Sequence, residues 1–506
     1  MKLSGIAVIV IFVLGGGVRL LDVSRPIDKA SWRECDEGSI SRNFLREGFD
    51  PLYPRVDWRG DGPGYAEMEF PAYPWLIGLT YELTGIHDNA GRVWSFVFSL
   101  ATLFFFFRLA REYLDPWPAV VALAFFAFNP LNVEIGTSIQ PEGLMMMAYV
   151  AAAYFFVRWL RTEAVIDICS ASLATMIALL GKASAAHIGI FFAVLLLKKY
   201  GIGAIRQPGV WLLGLMSLVP SVEWYSHARQ LWLTYGNSLG VSNEYHWIGP
   251  DFFTDGSFIA GIFRSELVYV WSYAGILIGL FALVFAWRER AALDGMLWFA
   301  AVFTFYVVTA RTSGDDWAYY YHIFSVVPAA LLVGAAVNRI MSWSSEGADG
   351  LGEGLLASRL VSACIIGVLL AATFLMDVRS AHAKYLDEHS HAPEYTFAAD
   401  LRSKLTSPGL IVASGGHCVD EKGYPVAYNA SYMFYWLDRK GWNMCVEQQS
   451  PELLKAYKRR GAVYFVAEQR YLHLTPGMEA AAKATYPVVA QSDEVIVFDL
   501  TAGKQE

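Results

Sequence analysis

Two adjacent carboxylates, Asp36 and Glu37, stand in a stretch crowded with charge of both signs. Arg25, Lys29, Arg33, Arg42, Arg46, Arg55 and Arg59 share residues 22–89 with Asp28, Glu34, Asp50, Asp57, Asp61, Glu67 and Glu69. A carboxylate can take the proton from an incoming hydroxyl or amine. A guanidinium or ammonium can hold an anion through charge-assisted hydrogen bonds. Further along, Glu142 and Lys182 sit at the ends of apolar runs, where a charge is expensive unless it faces a polar cavity or snorkels to the interface. The cluster Tyr320-Tyr321-His322 lies at the end of another such run, where it is either a lining for a ligand or part of an aromatic belt. Asp315-Asp316 offers a place for a divalent cation, although adjacent aspartates in a loop are usually solvated. No closely spaced His and Cys ligands appear, so no metal centre and no certain cofactor is assigned.

The elements that must position these groups are membrane spans. The 506 residues are 55% hydrophobic and 17% charged, against about 25% charged for a soluble chain. The apolar residues also come in near charge-free blocks, several reaching the ~17–25 residues that cross a hydrocarbon core. Expected spans are 3–21, 90–110, 117–131, 141–159, 165–180, 183–197, 209–222, 266–286, 294–310, 319–338 and 355–376. The fold class is therefore an α-helical polytopic membrane protein of about eleven transmembrane helices. Lys2, the apolar run 6–14 and Gly15–Gly17 look like a signal peptide, but without a clear small-residue cleavage site they read as a retained first span. A net charge of −8 excludes a nucleic-acid partner of the usual basic kind. Seventeen Trp and 27 Tyr suit a chain with many membrane–water boundaries.

Basic residues fix the orientation. Arg108 and Arg111, Arg158 and Arg161, Lys198, Lys199 and Arg206, Arg288 and Arg290, and Arg339 fall on one side if spans alternate. That side is cytoplasmic, with the N-terminus inside. The loop 22–89 disobeys the bias, which a long translocated loop can do. Within it, 37–47 is expected to be a short helix with Asp36 as N-cap and Gly48 as stop signal, burying Ile40, Phe44 and Leu45. A second helix is expected at 72–83, along the interface.

Residues 1–377 thus form a transmembrane domain and 378–506 a small α/β domain on the outer side. Strands are expected there at 410–413, 462–467 and 494–500, and helices at 395–405, 428–437 and 452–459. Cys418 and Cys445 are either bridged or two free thiols, and Cys35 is either free or paired with one of them.

The order of these pieces carries a resemblance. Trp32-Arg33-Glu34-Cys35-Asp36-Glu37-Gly38-Ser39 follows the first span, then Glu69-Phe70-Pro71-Ala72-Tyr73-Pro74-Trp75 and Gly91-Arg92-Val93-Trp94. Ser138-Ile139-Gln140-Pro141-Glu142, Gly181-Lys182 and Tyr319-Tyr320-Tyr321-His322 come later. Over about residues 1–340 this layout resembles the GT-C superfamily of polyprenyl-phosphate-sugar glycosyltransferases, in particular the protein O-mannosyltransferases and lipid A aminoarabinose transferases.

The resemblance implies an inverting glycosyltransferase of the cell envelope, moving a sugar from a polyprenyl-phosphate carrier to a lipid, glycan or protein on the outer membrane face. It implies Asp36 as general base with Glu37 beside it; the alternative is that Asp36 merely caps the helix and Glu37 favours its N-terminus. It implies substrate-binding roles for Arg42, Glu69, Arg92, Glu142, Lys182, Tyr320, Tyr321 and His322, with Lys182 on the lipid phosphate. Glu69 departs from the family's usual Lys-Pro-Pro or His-Pro-Pro and is a second carboxylate, a metal ligand or a solvated charge. The loop residues Trp224, Tyr225, His227, Tyr245, His246 and Trp247 correspond to a loop that can close over the donor in related enzymes. The alternative reading is a transporter or flippase for a lipid-linked sugar with Glu142 and Lys182 as pathway charges, but no repeated halves are visible. Sugar, carrier lipid, acceptor, metal dependence and oligomeric state are not encoded in any feature of the sequence.

Overall fold

The structure, a computed structural model, describes residues 3–29, 31–241, 254–308, 311–346, 353–388, 392–419 and 430–502. Contacts divide the chain into two units, each built from separate stretches. Unit 1 comprises Met1–Val23, Arg92–Glu223 and Glu244–Leu386, and unit 2 comprises Ser24–Gly91, Trp224–Asn243 and Asp387–Glu506. The sequence reading cuts the chain once, at 377/378; the units instead put the first long loop with the C-terminal segment.

Unit 1 is helical. Among the described residues, six helices are long and apolar enough to cross a bilayer: Leu3–Leu20, Asn89–Tyr113, Glu142–Thr162, Ala183–Arg206, Arg290–Val307 and Asp316–Trp343. A bent pair, Gly256–Val270 and Ala274–Phe285, makes a seventh if its two arms count as one span. The protein is a multi-pass membrane protein. The expected spans at 117–131 and 165–180 correspond to the shorter helices Pro116–Phe128 and Val165–Gly181, and those at 209–222 and 355–376 lie in the helices Pro208–Tyr235 and Glu353–Glu388. The interior is apolar and aromatic, with Phe106 stacked on Phe126 and Phe191 on Trp298. Val13, Val222, Val284 and Val368 turn outward, as helices do whose outer faces meet lipid rather than water.

The bent pair turns through 98° at Trp271–Tyr273, where Ser272 and Tyr273 take positive φ (45° and 56°). Asn129 holds the break by donating from Nδ2 to the carbonyls of Tyr269 and Val270 at 3.0 and 3.1 Å. Arg19, in the first span, is fully buried and donates to Ser99 Oγ (2.6 Å) and the carbonyls of Gly15, Ala127 and Asn132 (2.9, 3.0 and 3.3 Å). A buried guanidinium needs such partners; Arg19 ties its own helix to three others.

Unit 2 contains a five-stranded sheet in the order β4-β3-β5-β7-β6, with β3 Leu410–Ser414, β4 Gly441–Asn443, β5 Ala462–Glu468, β6 Val488–Gln491 and β7 Val495–Asp499. β3 pairs in parallel with β4 and β5, while β7 is antiparallel to β5 and β6. A shorter pair joins β1 Ala66–Glu67 to β2 Asn237–Ser238. The loop 24–91 is folded onto the C-terminal segment. Ser431 Oγ donates to the Trp32 carbonyl (2.8 Å), Trp436 Nε1 to the Ile27 carbonyl (2.7 Å), and Gly441 N to the Asp57 carbonyl (3.1 Å).

Cys418 and Cys445 form a disulfide with Cα atoms 5.6 Å apart, and Cys35 is a buried free thiol. The bridge closes 27 residues, a loop worth about 3–4 kcal/mol in unfolded-chain entropy. Reduction, or Cys445→Ala, is expected to lower the unfolding free energy of unit 2 by about 3 kcal/mol while the far-ultraviolet signal of the membrane helices persists. Denaturant titration with and without reductant checks this; equal midpoints contradict it.

Candidate functional site

The first loop helix spans Trp32–Glu47, five residues earlier than expected. Its N-cap is Ser31, whose side chain accepts from Glu34 N at 3.3 Å. Asp36 therefore lies inside the helix and is not its cap, which removes capping as the reason for that residue. The stop is at Gly48, in a left-handed conformation with φ 116°. Ile40 and Phe44, one turn apart, pack on Val56, Ala66, Met68 and Leu239. Gly38 in mid-helix weakens a helix by ~1 kcal/mol relative to Ala. Its reason is contact: a Cβ there would lie 2.7 Å from the Tyr435 ring.

The same stripe of this helix, one turn toward its N-terminus, carries the carboxylates, Asp36 four residues and Glu37 three residues before Ile40. Asp36 and Glu37 are both fully buried. Trp58 Nε1 donates to Asp36 Oδ1 at 2.8 Å and fixes the plane of the carboxyl group. Arg33 joins the other two acids: its Nη2 donates to Glu69 Oε2 at 2.6 Å, and its Nε lies 3.6 Å from Glu37 Oε1. Glu69 is 7% exposed, so the solvated-charge reading of it is corrected: a buried charge keeps a partner, and Glu69 has Arg33. Asp36, Glu37 and Glu69 thus fall in one unit, two of them on a shared guanidinium. Arg33 and Trp58 were not singled out by sequence. Arg33 stands in the quoted motif one turn before Glu37, a spacing that places the two on one helix face, while Trp58 has no local signal.

Arg42 belongs to another network. Buried at 5% exposure, it pairs with Asp57 (2.7 Å) and Asp438 (3.1 Å) and donates to the Tyr435 carbonyl (3.2 Å). Burial would pull its pKa down, but the Asp57 and Asp438 carboxylates more than offset this and raise it. Nearby, burial would raise Glu47, yet hydrogen bonds from Arg59 and Lys440 hold its carboxyl at about 2. Asp438 is likewise held at about 2, against burial, by Arg46, Arg42 and Arg402.

These depressed values link stability to pH. Carboxylates ionised more readily when folded stabilise the fold above their ordinary pKa of about 4, and the contribution fades as pH falls toward 2. Unit 2 is expected to unfold at lower denaturant at pH 3 than at pH 6. Glu47→Gln is expected to flatten that dependence; an unchanged slope contradicts it.

In unit 1, Lys182 follows the helix Val165–Gly181 at an extended residue. Its ammonium is hydrogen-bonded to Glu142 at the start of Glu142–Thr162 and lies 4.7 and 4.8 Å from the ring centres of Tyr320 and Tyr321. Lys182 and Glu142 are 7% and 2% exposed. The snorkelling alternative is therefore corrected: the amine is drawn inward to a carboxylate and two aromatic faces. Beside them, Tyr319 donates to Glu134 and stacks on Tyr269 (4.6 Å). Glu134, in the helix Pro130–Ile135, went unnoticed in the sequence.

His322 follows Tyr321 directly and has its ring turned to other partners. It is fully buried, with Nδ1 2.7 Å from Glu266 Oε1 and Nε2 2.8 Å from the Ser313 carbonyl. Ser325 Oγ also donates to Glu266 (2.6 Å). Both ring nitrogens of His322 are thus spent within the protein, which leaves neither for the expected lining role. Arg92 donates to the Thr137 carbonyl (2.9 Å), the loop-capping arrangement. Asp316 faces Arg264 at 3.0 Å, both largely exposed, which does not fit a divalent-cation site. Cys418, Cys445 and Glu447 converge within 4.8 Å, but the two sulfurs are joined to each other. Trp224 and His227 pack into unit 2, donating to the Met68 carbonyl (3.1 Å) and contacting the Leu52 carbonyl (2.8 Å). Tyr245, His246 and Trp247 lie outside the described residues.

Comparison with known proteins gives these arrangements a context. A family model described as dolichyl-phosphate-mannose-protein mannosyltransferase matches residues 63–226. ArnT from Cupriavidus metallidurans, solved bound to undecaprenyl phosphate, is similar over 99% of both chains with a TM-score of 0.59 and 16% identity. The Archaeoglobus fulgidus oligosaccharyltransferase in its apo form is similar over 96% of this chain and 73% of its own, with TM-score 0.56 and 11% identity. Arabinofuranosyltransferase AftD from Mycobacteria is similar over 98% of this chain and 40% of its own, with TM-score 0.54 and 13% identity. No curated protein matches the sequence. The fold is helical and GT-C-like, and the resemblance read from the sequence stands.

Proposed function

We propose that this protein is an inverting glycosyltransferase that takes its sugar from a polyprenyl-phosphate carrier on the outer face of the membrane. The observation that carries the reading is Asp36: a fully buried carboxylate inside a helix that Ser31 caps, its plane set by Trp58. A charge kept there without a capping duty is best explained by chemistry. In the reaction the acceptor's oxygen or nitrogen attacks the anomeric carbon from the face opposite the phosphate. The carbon–oxygen bond to phosphate breaks with its electron pair leaving on phosphate, and Asp36 takes the acceptor's proton. A phosphate leaves as a stable anion, so no strong acid is required. Glu37 and Glu69, linked by Arg33, orient the nucleophile.

The phosphate is assigned to Lys182, a compact ammonium with three donors, steadied by Glu142, Tyr320 and Tyr321. An apolar groove of about 450 Å³ in unit 1, lined by Trp271, Leu280, Phe299 and Phe303, suits the prenyl chain; the ArnT structure with undecaprenyl phosphate favours that occupant. Arg42 and Arg92 hold the scaffold in this account.

The finer membrane reading, about eleven crossings with the N-terminus inside and residues 378–506 outside, draws support from the cationic connections. Arg161 pairs with Glu112 (3.0 Å), Lys199 with Glu163 (2.6 Å), and Lys198 with Asp294, so four of the predicted cytoplasmic connections meet one another. Mass spectrometry of envelope lipids, glycans and proteins with and without the gene tests the function. One sugar missing from one acceptor class is expected; an unchanged profile with an intact donor pool contradicts it.

A further inference from the structure

Unit 2 holds a cavity of about 400 Å³, within the ~300–1,000 Å³ of small-molecule sites. Arg42, Arg46 and Arg402 line it with Asp438, Asp88 and Tyr435. The three guanidiniums converge on one carboxylate: Arg46 reaches Asp438 with both terminal nitrogens (2.7 and 3.0 Å), Arg42 at 3.1 Å and Arg402 at 3.0 Å. Asp88 is occupied by the Ile27 N–H (2.7 Å) and the Tyr435 hydroxyl. Asp57 balances Arg42. A guanidinium carries five N–H donors; Arg46 gives two to Asp438 and Arg402 one, and their side chains are 42% and 57% exposed.

Two partly exposed guanidiniums, Arg46 and Arg402, thus share the single Asp438 carboxylate at an accessible cavity, and their remaining N–H donors are chemistry for an oxyanion. We propose that this pocket binds the phosphate or carboxylate of the acceptor, so that Arg46 and Arg402 select acidic acceptors. The inference rests on the transferase reading for the word acceptor, and on the pocket alone for the anion. Asp438 is the internal competitor. It closes the helix Ser431–Leu437 at a left-handed φ of 52°, a conformation that Asp and Asn tolerate well.

That competition gives substitutions of opposite sign. The full chain in neutral phosphatidylcholine nanodiscs is titrated calorimetrically with inorganic phosphate at constant ionic strength. Arg46→Gln and Arg402→Gln are each expected to weaken binding about tenfold, the scale of one hydrogen bond to a charged group. Asp438→Asn is expected to tighten it, because Arg46 and Arg402 then face the ligand without the carboxylate they share, while Arg42 keeps Asp57. Asp36→Asn is expected to leave it unchanged. Phosphatidylglycerol nanodiscs that compete with phosphate identify a lipid headgroup as the source of the anion; if only soluble glucose 1-phosphate competes, the source is a glycan phosphate. Absence of phosphate binding, indifference to both arginine changes, or weakening by Asp438→Asn in a protein of unchanged melting temperature overturns the proposal. Because no transfer is measured, a pocket that binds phosphate in a protein inactive on every donor would sink the transferase reading and not the site.

Discussion

Asp36→Asn is expected to lower sugar transfer by ~10²–10⁴-fold, the usual contribution of a positioned general base, with the melting temperature unchanged. The amide is nearly isosteric and its carbonyl oxygen can still accept from Trp58 Nε1, so the 2.8 Å contact has no reason to break. What is lost is the capacity to take the acceptor's proton. Glu37→Gln is the companion measurement. Glu37 shares Arg33 with Glu69, so its loss is expected to disturb orientation and cost less than the loss of the base. If Glu37→Gln proves inactive while Asp36→Asn turns over normally, the roles of the two residues are exchanged.

The second large effect is expected at Lys182. Removing a charge that stabilises a developing phosphate typically lowers turnover ~10²–10³-fold, but Lys182→Met alone would leave Glu142 buried without its cation. Breaking a buried pair in that way costs about 3–5 kcal/mol and confuses instability with lost chemistry. The informative variant is therefore the double change Lys182→Met with Glu142→Gln, which removes both charges together. It is expected to insert and melt near the parent while losing transfer, and Michaelis constants for the donor on a conservative Lys182→Arg variant should rise. A double variant with parental turnover would reduce Lys182 and Glu142 to a buried structural pair.

The layout of both regions was partly legible from residue order. Apolar runs marked the long helices of unit 1, and Ile40 with Phe44 and the stop at Gly48 marked the buried side and end of the loop helix. Its start lies at Ser31 and not at the expected Asp36, and Ser31-Trp32-Arg33-Glu34 carries the spacing of a capping box. Nothing local announces the 98° bend, since the chain turns at Ser272 and Tyr273 without glycine or proline. His322 reads as a ligand lining or as part of an aromatic belt, and its ring is instead bonded to Glu266 and Ser313, partners that only tertiary packing supplies. The same holds for Trp58 and Asp36, and for the pairing of Arg42 with Asp438 across almost the whole chain. Periodicity reports which face of a helix is buried and is silent on what buries it.

The account stands or falls on donor consumption. Purified protein in nanodiscs, given polyprenyl-phosphate-linked sugars and a delipidated envelope extract, is followed by ³¹P spectroscopy for release of the free polyprenyl phosphate. The account predicts release with one of the sugars, dependent on the extract, and none with Asp36→Asn. Release at equal rates from parent and Asp36→Asn, or an intact donor with every sugar and acceptor while net flux of the lipid-linked sugar is seen instead, would contradict it.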